Sequence, residues 1–187
     1  MAGRFITFEG SEGCGKSTQL ARLAVWLREQ GHDVLETREP GGTVLGKQIR
    51  ELLMHRKEDE ALTPEAELLL FAADRAQHVR QLIKPALVKG QIVLSDRYCD
   101  STTAYQGVAR KLSPEHVKSI NAFATSDCIP DLTLVLDLPA DTGLMRARQA
   151  TGKASDRMEA ESLAFYEAVR QGFLDLAAAE PERVIVV

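Results

Sequence analysis

The 187-residue sequence is short of cysteine, of net positive charge and of long apolar runs. Its three cysteines, Cys14, Cys99 and Cys128, are too few and too scattered for a disulfide framework or a zinc site. A reducing, cytoplasmic setting is therefore expected. The formal net charge of −4 argues against binding a nucleic-acid polymer through its backbone phosphates. Any polyanionic ligand must be met by locally clustered basic residues. No apolar stretch approaches the roughly 20 residues that a membrane span needs, and no secretory apolar segment precedes the first strand pattern. Internal repeats and low-complexity tracts are also missing. What remains is an ordinary globular composition, 44% hydrophobic, long enough for one domain with a full core.

Against that background one stretch stands out. Residues 10–18 read Gly-Ser-Glu-Gly-Cys-Gly-Lys-Ser-Thr and fit G-x-x-x-x-G-K-[ST] through Gly10, Gly15, Lys16 and Ser17. The apolar run from Phe5 to Phe8 before it reads as a buried strand, and an amphipathic helix from Ser17 to about Gln30 follows. Strand, glycine loop and helix in that order are the context of a phosphate-binding loop. Its backbone N–H groups converge on one concavity and the helix start adds free donors and a positive dipole end. Lys16 is placed to reach the β- and γ-phosphates and the Ser17 hydroxyl to hold Mg²⁺. The expected nucleotide-binding set is Gly10, Ser11, Glu12, Gly13, Cys14, Gly15, Lys16, Ser17 and Thr18. Cys14 has two readings, a thiol activated by the loop's donors or a small side chain filling a small space.

Strand and helix patterns then alternate. Strands are expected at 33–37, 91–95, 132–136 and 184–187, and helices at about 43–54, 63–83, 113–125, 145–148 and 157–179. Thr63-Pro64 and Ser113-Pro114 each read as an N-cap followed by proline. Five apolar strands alternating with helices predict an α/β fold: a three-layer, doubly wound, parallel five-stranded sheet in one domain over 1–187. Ligands then belong at the carboxyl ends of the strands, where the glycine loop, the 38–43 loop and Asp96-Arg97 fall.

Asp96 follows a strand directly, and such a carboxylate serves Mg²⁺, directly or through water, in this class of fold. Arg97 beside it can reach the transferred phosphoryl group. Phe71 and Arg75 share a helix face, and either stack on and bond to a base or, for Phe71, simply fill the core. The segment 101–107 offers hydroxyls, an amide and an aromatic ring to a sugar or base, and reads equally well as a capped surface turn. Arg146, Arg148, Lys153 and Arg157 gather around a polar, glycine-containing interruption at 149–155. They form either a solvated helix face or a basic segment that closes over phosphates. Because Glu12 leaves the glycine loop without an arginine, extra positive charge must come from elsewhere.

Six motifs in order give the chain a resemblance to bacterial thymidylate kinase, a P-loop nucleoside monophosphate kinase. They are Gly10–Thr18, Arg38-Glu39-Pro40-Gly41-Gly42-Thr43, Phe71-Ala72-Ala73-Asp74-Arg75, Asp96-Arg97-Tyr98, Ala104-Tyr105-Gln106-Gly107 and Asp156-Arg157-Met158-Glu159. The resemblance covers essentially all 187 residues. It implies transfer of the γ-phosphoryl group of ATP to dTMP with Mg²⁺, in a homodimer. It implies that Phe71 stacks on thymine, that Arg75 bonds its carbonyl edge, that Thr102 and Gln106 contact the base, and that Tyr105 lies where a 2′-hydroxyl would clash. Glu39, Arg50 and Arg97 would hold the acceptor nucleotide, with Pro40 and Ser101 completing its site. A lid at about 149–156 would carry Arg148, Lys153 and Arg157, which join Lys16 and Arg97 as the catalytic cations; Ser17 and Asp96 would serve the metal. The family usually continues past a fifth strand with a loop near adenine and a last helix, both of which lie beyond this sequence, and Cys14 replaces a more usual Ala or Gly.

Two alternatives stay open on the residues alone. One is another pyrimidine nucleoside monophosphate kinase on the same scaffold. The other is a nucleotide-driven switch, against which stand the missing N-K-x-D tetrapeptide and the Arg-Tyr that follows Asp96.

Overall fold

A computed structural model describes residues 3–54, 62–151, 158 and 161–187. Five parallel strands form one sheet: β1 (Arg4–Glu9), β2 (Val34–Arg38), β3 (Ile92–Asp96), β4 (Leu132–Val135) and β5 (Val184–Val186). Their order across the sheet is β2-β3-β1-β4-β5. The order reverses direction at β1, whose neighbours are β3 on one side and β4 on the other. That switch point opens the crevice in which such sheets take ligands. The register sets Phe8 and Arg38 on either side of Asp96, so the carboxyl ends of β1, β2 and β3 share one edge.

The strands alternate between two buried faces. Phe8 and Leu94 pack with Leu20, Ala24 and Leu27 of α1 (Lys16–Glu29). Phe5 and Val93 point the other way, against Val79, Ile83, Ala86 and Tyr98. A third cluster joins Val135 to Phe165, Tyr166, Val169 and Phe173 of α8 (Leu163–Ala179). Helices on both faces of a parallel sheet give the expected three layers. Between these, the Thr7 and Thr133 hydroxyls satisfy each other at 2.8 Å.

The remaining helices are α2 (Val44–Met54), α3 (Pro64–His78), α4 (Lys84–Val88), α5 (Cys99–Thr102), α6 (Pro114–Thr125) and α7 (Ala140–Thr151). Thr63 caps α3 as expected, its side chain accepting the Ala66 N–H, whereas Ser113 stands at the start of α6 without a side-chain cap bond. The helix expected over 63–83 is not one regular helix. It widens to a π-helical turn at Val79–Ile83 before α4, where Pro85 has no N–H to give to the turn behind it. The long helix expected from about 157 begins at Leu163, where Ser162 accepts the Phe165 N–H at 3.2 Å.

The largest departure is at 99–109, which includes the 101–107 segment that the sequence allows to be a surface turn. The segment is helical, as α5 runs into a π-helical stretch at Thr103–Ala109. Ala104, Tyr105 and Gln106 are buried, and Gly172 of α8 lets the segment approach so closely that a Cβ there would touch Val108 and Ala104. Packing against α8 overrides a local composition that favours a turn. No helix among the described residues is long and apolar enough to cross a membrane.

Candidate active site

The phosphate loop leaves β1 at Gly10 and enters α1 through Gly15, with no side chain capping the helix and no acidic residue in its first turn. The free N–H groups of that turn face the loop, which is the requirement for an anion site. Lys16 is nearly buried, and its ammonium donates to the carbonyls of Ser11 at 2.7 Å and Gly10 at 3.1 Å. Gly13 has φ +69, and a Cβ on it would collide with the Gly143 carbonyl of α7. A Cβ on Gly143 would in turn strike the Glu12 carbonyl. The loop is thus pressed against α7 at two glycines facing each other, a contact the sequence reading did not anticipate.

At the next strand tip, Ser17 donates its hydroxyl to Asp96 Oδ2 at 2.5 Å. Arg97 follows with φ +73, a left-handed conformation held by its surroundings. Its Nη1 donates to the Gly10 carbonyl at 3.0 Å and to Ser101 Oγ at 3.1 Å, and its Nη2 to Glu12 Oε1 at 2.8 Å. The Tyr105 hydroxyl donates to the other Glu12 oxygen at 2.6 Å, and the Arg97 guanidinium lies 5.0 Å from the Tyr105 ring centroid. Tyr105, Glu12 and Glu9 all hold the Arg97 pKa above its usual value against the opposing effect of burial. Burial raises the carboxyl of Glu9 to about 7, with Asp100 adding to the effect.

The far end of the crevice is built on α3. Arg75 is 1% exposed and Glu39 is 4% exposed, which means their charges must be satisfied internally. Arg75 Nε donates to Glu39 Oε2 at 2.8 Å, Nη1 to Thr102 Oγ1 at 3.0 Å and Asn121 Oδ1 at 2.9 Å, and Nη2 to the Tyr98 carbonyl at 3.1 Å. Glu39 Oε1 lies 2.9 Å from His78 Nδ1, and His78 Nε2 lies 2.7 Å from the Thr37 hydroxyl. Gln106 is fixed through its amide nitrogen, which donates to Glu67 Oε1 at 2.7 Å. Asp74, fully buried beside this group, accepts the Gly41 N–H at 3.1 Å through Oδ1 while its Oδ2 has no hydrogen-bond partner among the described residues. Burial, and next the Glu39 charge, raise its pKa to about 6.

Every acceptor-side residue named from the sequence lines one cleft of about 390 Å³, together with Glu12, Gly13, Lys16, Ser17 and Asp96 of the phosphate end. Phe71 borders this cleft and, partly buried, also packs against the core. Arg50 reaches the same cleft and donates to the Pro40 carbonyl at 3.2 Å. Cys14 borders a separate groove with Phe8, Leu23, Leu136 and Val187, and its sulfur accepts from the Lys16 ammonium at 3.5 Å. Arg148 is exposed and lines another depression, beside Leu144 and Leu163, so the fold does not bring it to the cleft. Lys153 and Arg157, with the 152–156 part of the expected lid, lie outside the described residues.

Sequence reasoning missed Glu9, Glu67, Asp74, His78 and Asn121, all buried. Glu67, Phe71, Asp74, Arg75 and His78 recur at helical spacing on α3. A stripe of ionisable residues on the face that also carries Phe71 was the available signal. In Ser17 and Asp96 the site offers a hydroxyl and a carboxylate within hydrogen-bond distance, an all-oxygen pair suited to a hard divalent cation.

The comparisons with known proteins point to one family. A family model described as thymidylate kinase matches residues 8–187. A thymidylate kinase of Syntrophotalea carbinolica is 55% identical over 187 residues, spanning 98% of this chain and 86% of that protein. One from Clavibacter sepedonicus is 51% identical, spanning 100% of this chain and 87% of its own. The crystal structure of thymidylate kinase from Ehrlichia chaffeensis matches with a TM-score of 0.82 at 35% identity, over 100% of this chain and 93% of that one.

Proposed function

The chain belongs to the thymidylate kinase family, and from that membership we propose how its cleft moves the γ-phosphoryl group of ATP onto dTMP. The overall reaction is ATP + dTMP → ADP + dTDP. One observation carries the assignment of roles: a single cleft runs from Lys16 and Gly13 of the phosphate loop, past Arg97, to Phe71 and Arg75. In this reading the span would take a triphosphate tail at one end and a base at the other, with an arginine between them.

In this reading the loop from Gly10 to Thr18 and the uncapped start of α1 cradle the ATP phosphates. Lys16 exchanges its carbonyl partners for phosphate oxygens. Arg97 and Arg50 hold the dTMP phosphate, Phe71 stacks on thymine, and Arg75 and Gln106 face its polar edge. The attacking group is already a phosphate oxygen, so no general base is required; the work is positioning and charge neutralisation. Ser17 and Asp96 would hold Mg²⁺, directly or through water, and the ion would neutralise charge on the phosphate oxygens. Tyr105, fixed by Glu12, would crowd a 2′-hydroxyl and so disfavour ribonucleotides. Lys153 and Arg157 would add positive charge to the transferred group, a role that the exposed position of Arg148 off the cleft does not support for that residue.

The protein would act as a homodimer in the cytoplasm. Leu52 of α2, Leu69 of α3 and Phe123 of α6 are large apolar side chains exposed on three neighbouring helices, and apolar surface of that kind supports burial against a second copy. Free Cys14, Cys99 and Cys128 fit a reducing compartment.

The test is ADP release with ATP and Mg²⁺ against dTMP, dUMP, dCMP, dGMP, UMP and thymidine. Strong turnover with dTMP, weak turnover with dUMP and none with thymidine are expected. Preference for another monophosphate would overturn the roles of Phe71, Arg75 and Gln106. Sedimentation of the wild-type protein as a monomer would overturn the dimer.

A further inference from the structure

Glu9 is the last residue of β1 and has no solvent exposure. The phosphate loop begins at the next residue, yet the Glu9 side chain takes no part in it. Its carboxylate crosses instead to the segment after β3. Oε1 accepts the Tyr98 N–H at 2.7 Å and the Ser101 N–H at 3.3 Å, and Oε2 accepts the Ser101 hydroxyl at 2.6 Å. The two backbone donors belong to the start of α5, whose own N-cap residue, Tyr98, supplies no side-chain bond. A carboxylate from another strand therefore serves the N–H groups that the segment leaves open.

The consequence reaches Arg97. With its proton directed at Glu9, the Ser101 hydroxyl presents its oxygen to Arg97 Nη1 at 3.1 Å. The other partner of that nitrogen is the Gly10 carbonyl, adjacent to Glu9 in the chain. The Arg97 backbone, at φ +73, sits immediately before the Tyr98 N–H that Glu9 holds. Both the main chain and the guanidinium of Arg97 are thus referred to the strand that carries the phosphate loop. An ionised carboxylate suits this place because all three groups aimed at it are donors; an amide would turn N–H groups towards some of them. Burial alone makes such a charge costly.

We propose that Glu9 is a positioning residue for phosphoryl transfer: it sets the direction of Arg97 through the Ser101 hydroxyl and the Tyr98 and Ser101 N–H groups. It thereby keeps the acceptor-phosphate arginine in fixed relation to the phosphate loop. The inference rests on the reading that Arg97 holds the phosphate of dTMP.

The experiment is a double-mutant cycle on the full chain, with Glu9→Gln, Arg97→Ala and the pair, reading kcat and the KM for dTMP and ATP separately. Arg97→Ala alone tests the underlying reading; near-normal turnover there would overturn both that reading and the proposal. With the reading intact, Glu9→Gln is expected to lower kcat/KM for dTMP about tenfold in the wild-type background and to change it less than about twofold once Arg97 is alanine. The ATP KM should move little in either background. An equal loss in both backgrounds, or no loss in the first, would overturn the proposal and leave the Arg97 reading standing. Ser101→Ala goes through the same cycle, because it removes the relay hydroxyl and leaves the buried carboxylate in place. If Glu9→Gln fails to fold, the Ser101→Ala cycle decides by the same criterion.

Discussion

Arg75 donates its Nε–H to the Glu39 carboxylate at 2.8 Å, with both side chains shut away from solvent. One partner stands on α3 and the other directly after β2, so the pair fastens a helix to the sheet edge at the base end of the cleft. The second Glu39 oxygen meets His78, which meets Thr37 in turn. The planar group that would read the base is therefore part of a buried network, and its direction is fixed before any ligand arrives.

Replacing Arg75 should consequently affect two properties at once. Arg75→Ala is expected to raise the KM for dTMP and to loosen discrimination between dTMP and dCMP. It should also destabilise the fold by about 3–5 kcal/mol, the usual cost of leaving one member of a buried pair uncompensated. Arg75→Lys should recover little of either, since one ammonium cannot meet partners lying in four directions. Steady-state kinetics with both nucleotides and urea unfolding check these outcomes. Unchanged discrimination in folded Arg75→Ala would remove Arg75 from base selection.

Lys16 is different, because its partners here are two loop carbonyls and the Cys14 sulfur, which ATP phosphates would replace. Lys16→Ala should lower turnover roughly 100-fold or more, the scale of one lost transition-state donor, with little change in stability. Arg97→Ala should lose a similar factor and in addition release Glu12, which Arg97 pairs with at 2.8 Å. Rates of ADP release from folded variants decide both.

These contrasts also mark what was legible in the sequence. The phosphate loop was readable because glycines, Lys16 and a flanking strand and helix impose a rigid spacing that few other structures need. The sheet was readable because its central strands are apolar on both faces. Glu9, Glu67 and Asp74 were not, since a buried carboxylate is interpretable only through partners far away in sequence, such as Ser101 for Glu9 and Gln106 for Glu67. The helical, buried state of 99–109 was hidden for the same reason: it follows from contact with α8 and from the Glu9 carboxylate, neither of which is local. Arg148 shows the converse, a basic residue in the right stretch of chain whose exposed position beside Leu144 lies off the cleft.

Asp74 gives a pH test. Its carboxyl is raised from 3.8 to about 6, first by burial and then by Glu39, so the fold resists its ionisation. The stability Asp74 contributes is complete below about pH 4 and is lost as the pH rises through about 6. Asp74→Asn cannot ionise and lacks that loss. Measured against wild type by urea unfolding, the variant should gain on the order of 2–3 kcal/mol in relative stability between about pH 4 and about pH 7. A difference that stays constant over this range would mean that Asp74 ionises freely in the folded protein.

Gly143 tests whether the contact between α7 and the phosphate loop matters for ATP. Alanine is about 1 kcal/mol better than glycine inside a helix, so Gly143→Ala should not weaken α7 itself. The added methyl nevertheless points at the Glu12 carbonyl, and Gly13 beside it is already close to the Gly143 carbonyl, so the loop cannot settle any nearer to α7. The loop must shift outward, and the backbone donors that would receive phosphate shift with it. The expected result is a melting temperature close to wild type, an ATP KM raised about tenfold and a dTMP KM nearly unchanged. This split separates the two ends of the cleft: a shift confined to the loop leaves Phe71 and Arg75 undisturbed. If both constants rose together, α7 would be supporting the whole cleft, and the close approach of the two glycines would have no specific bearing on ATP.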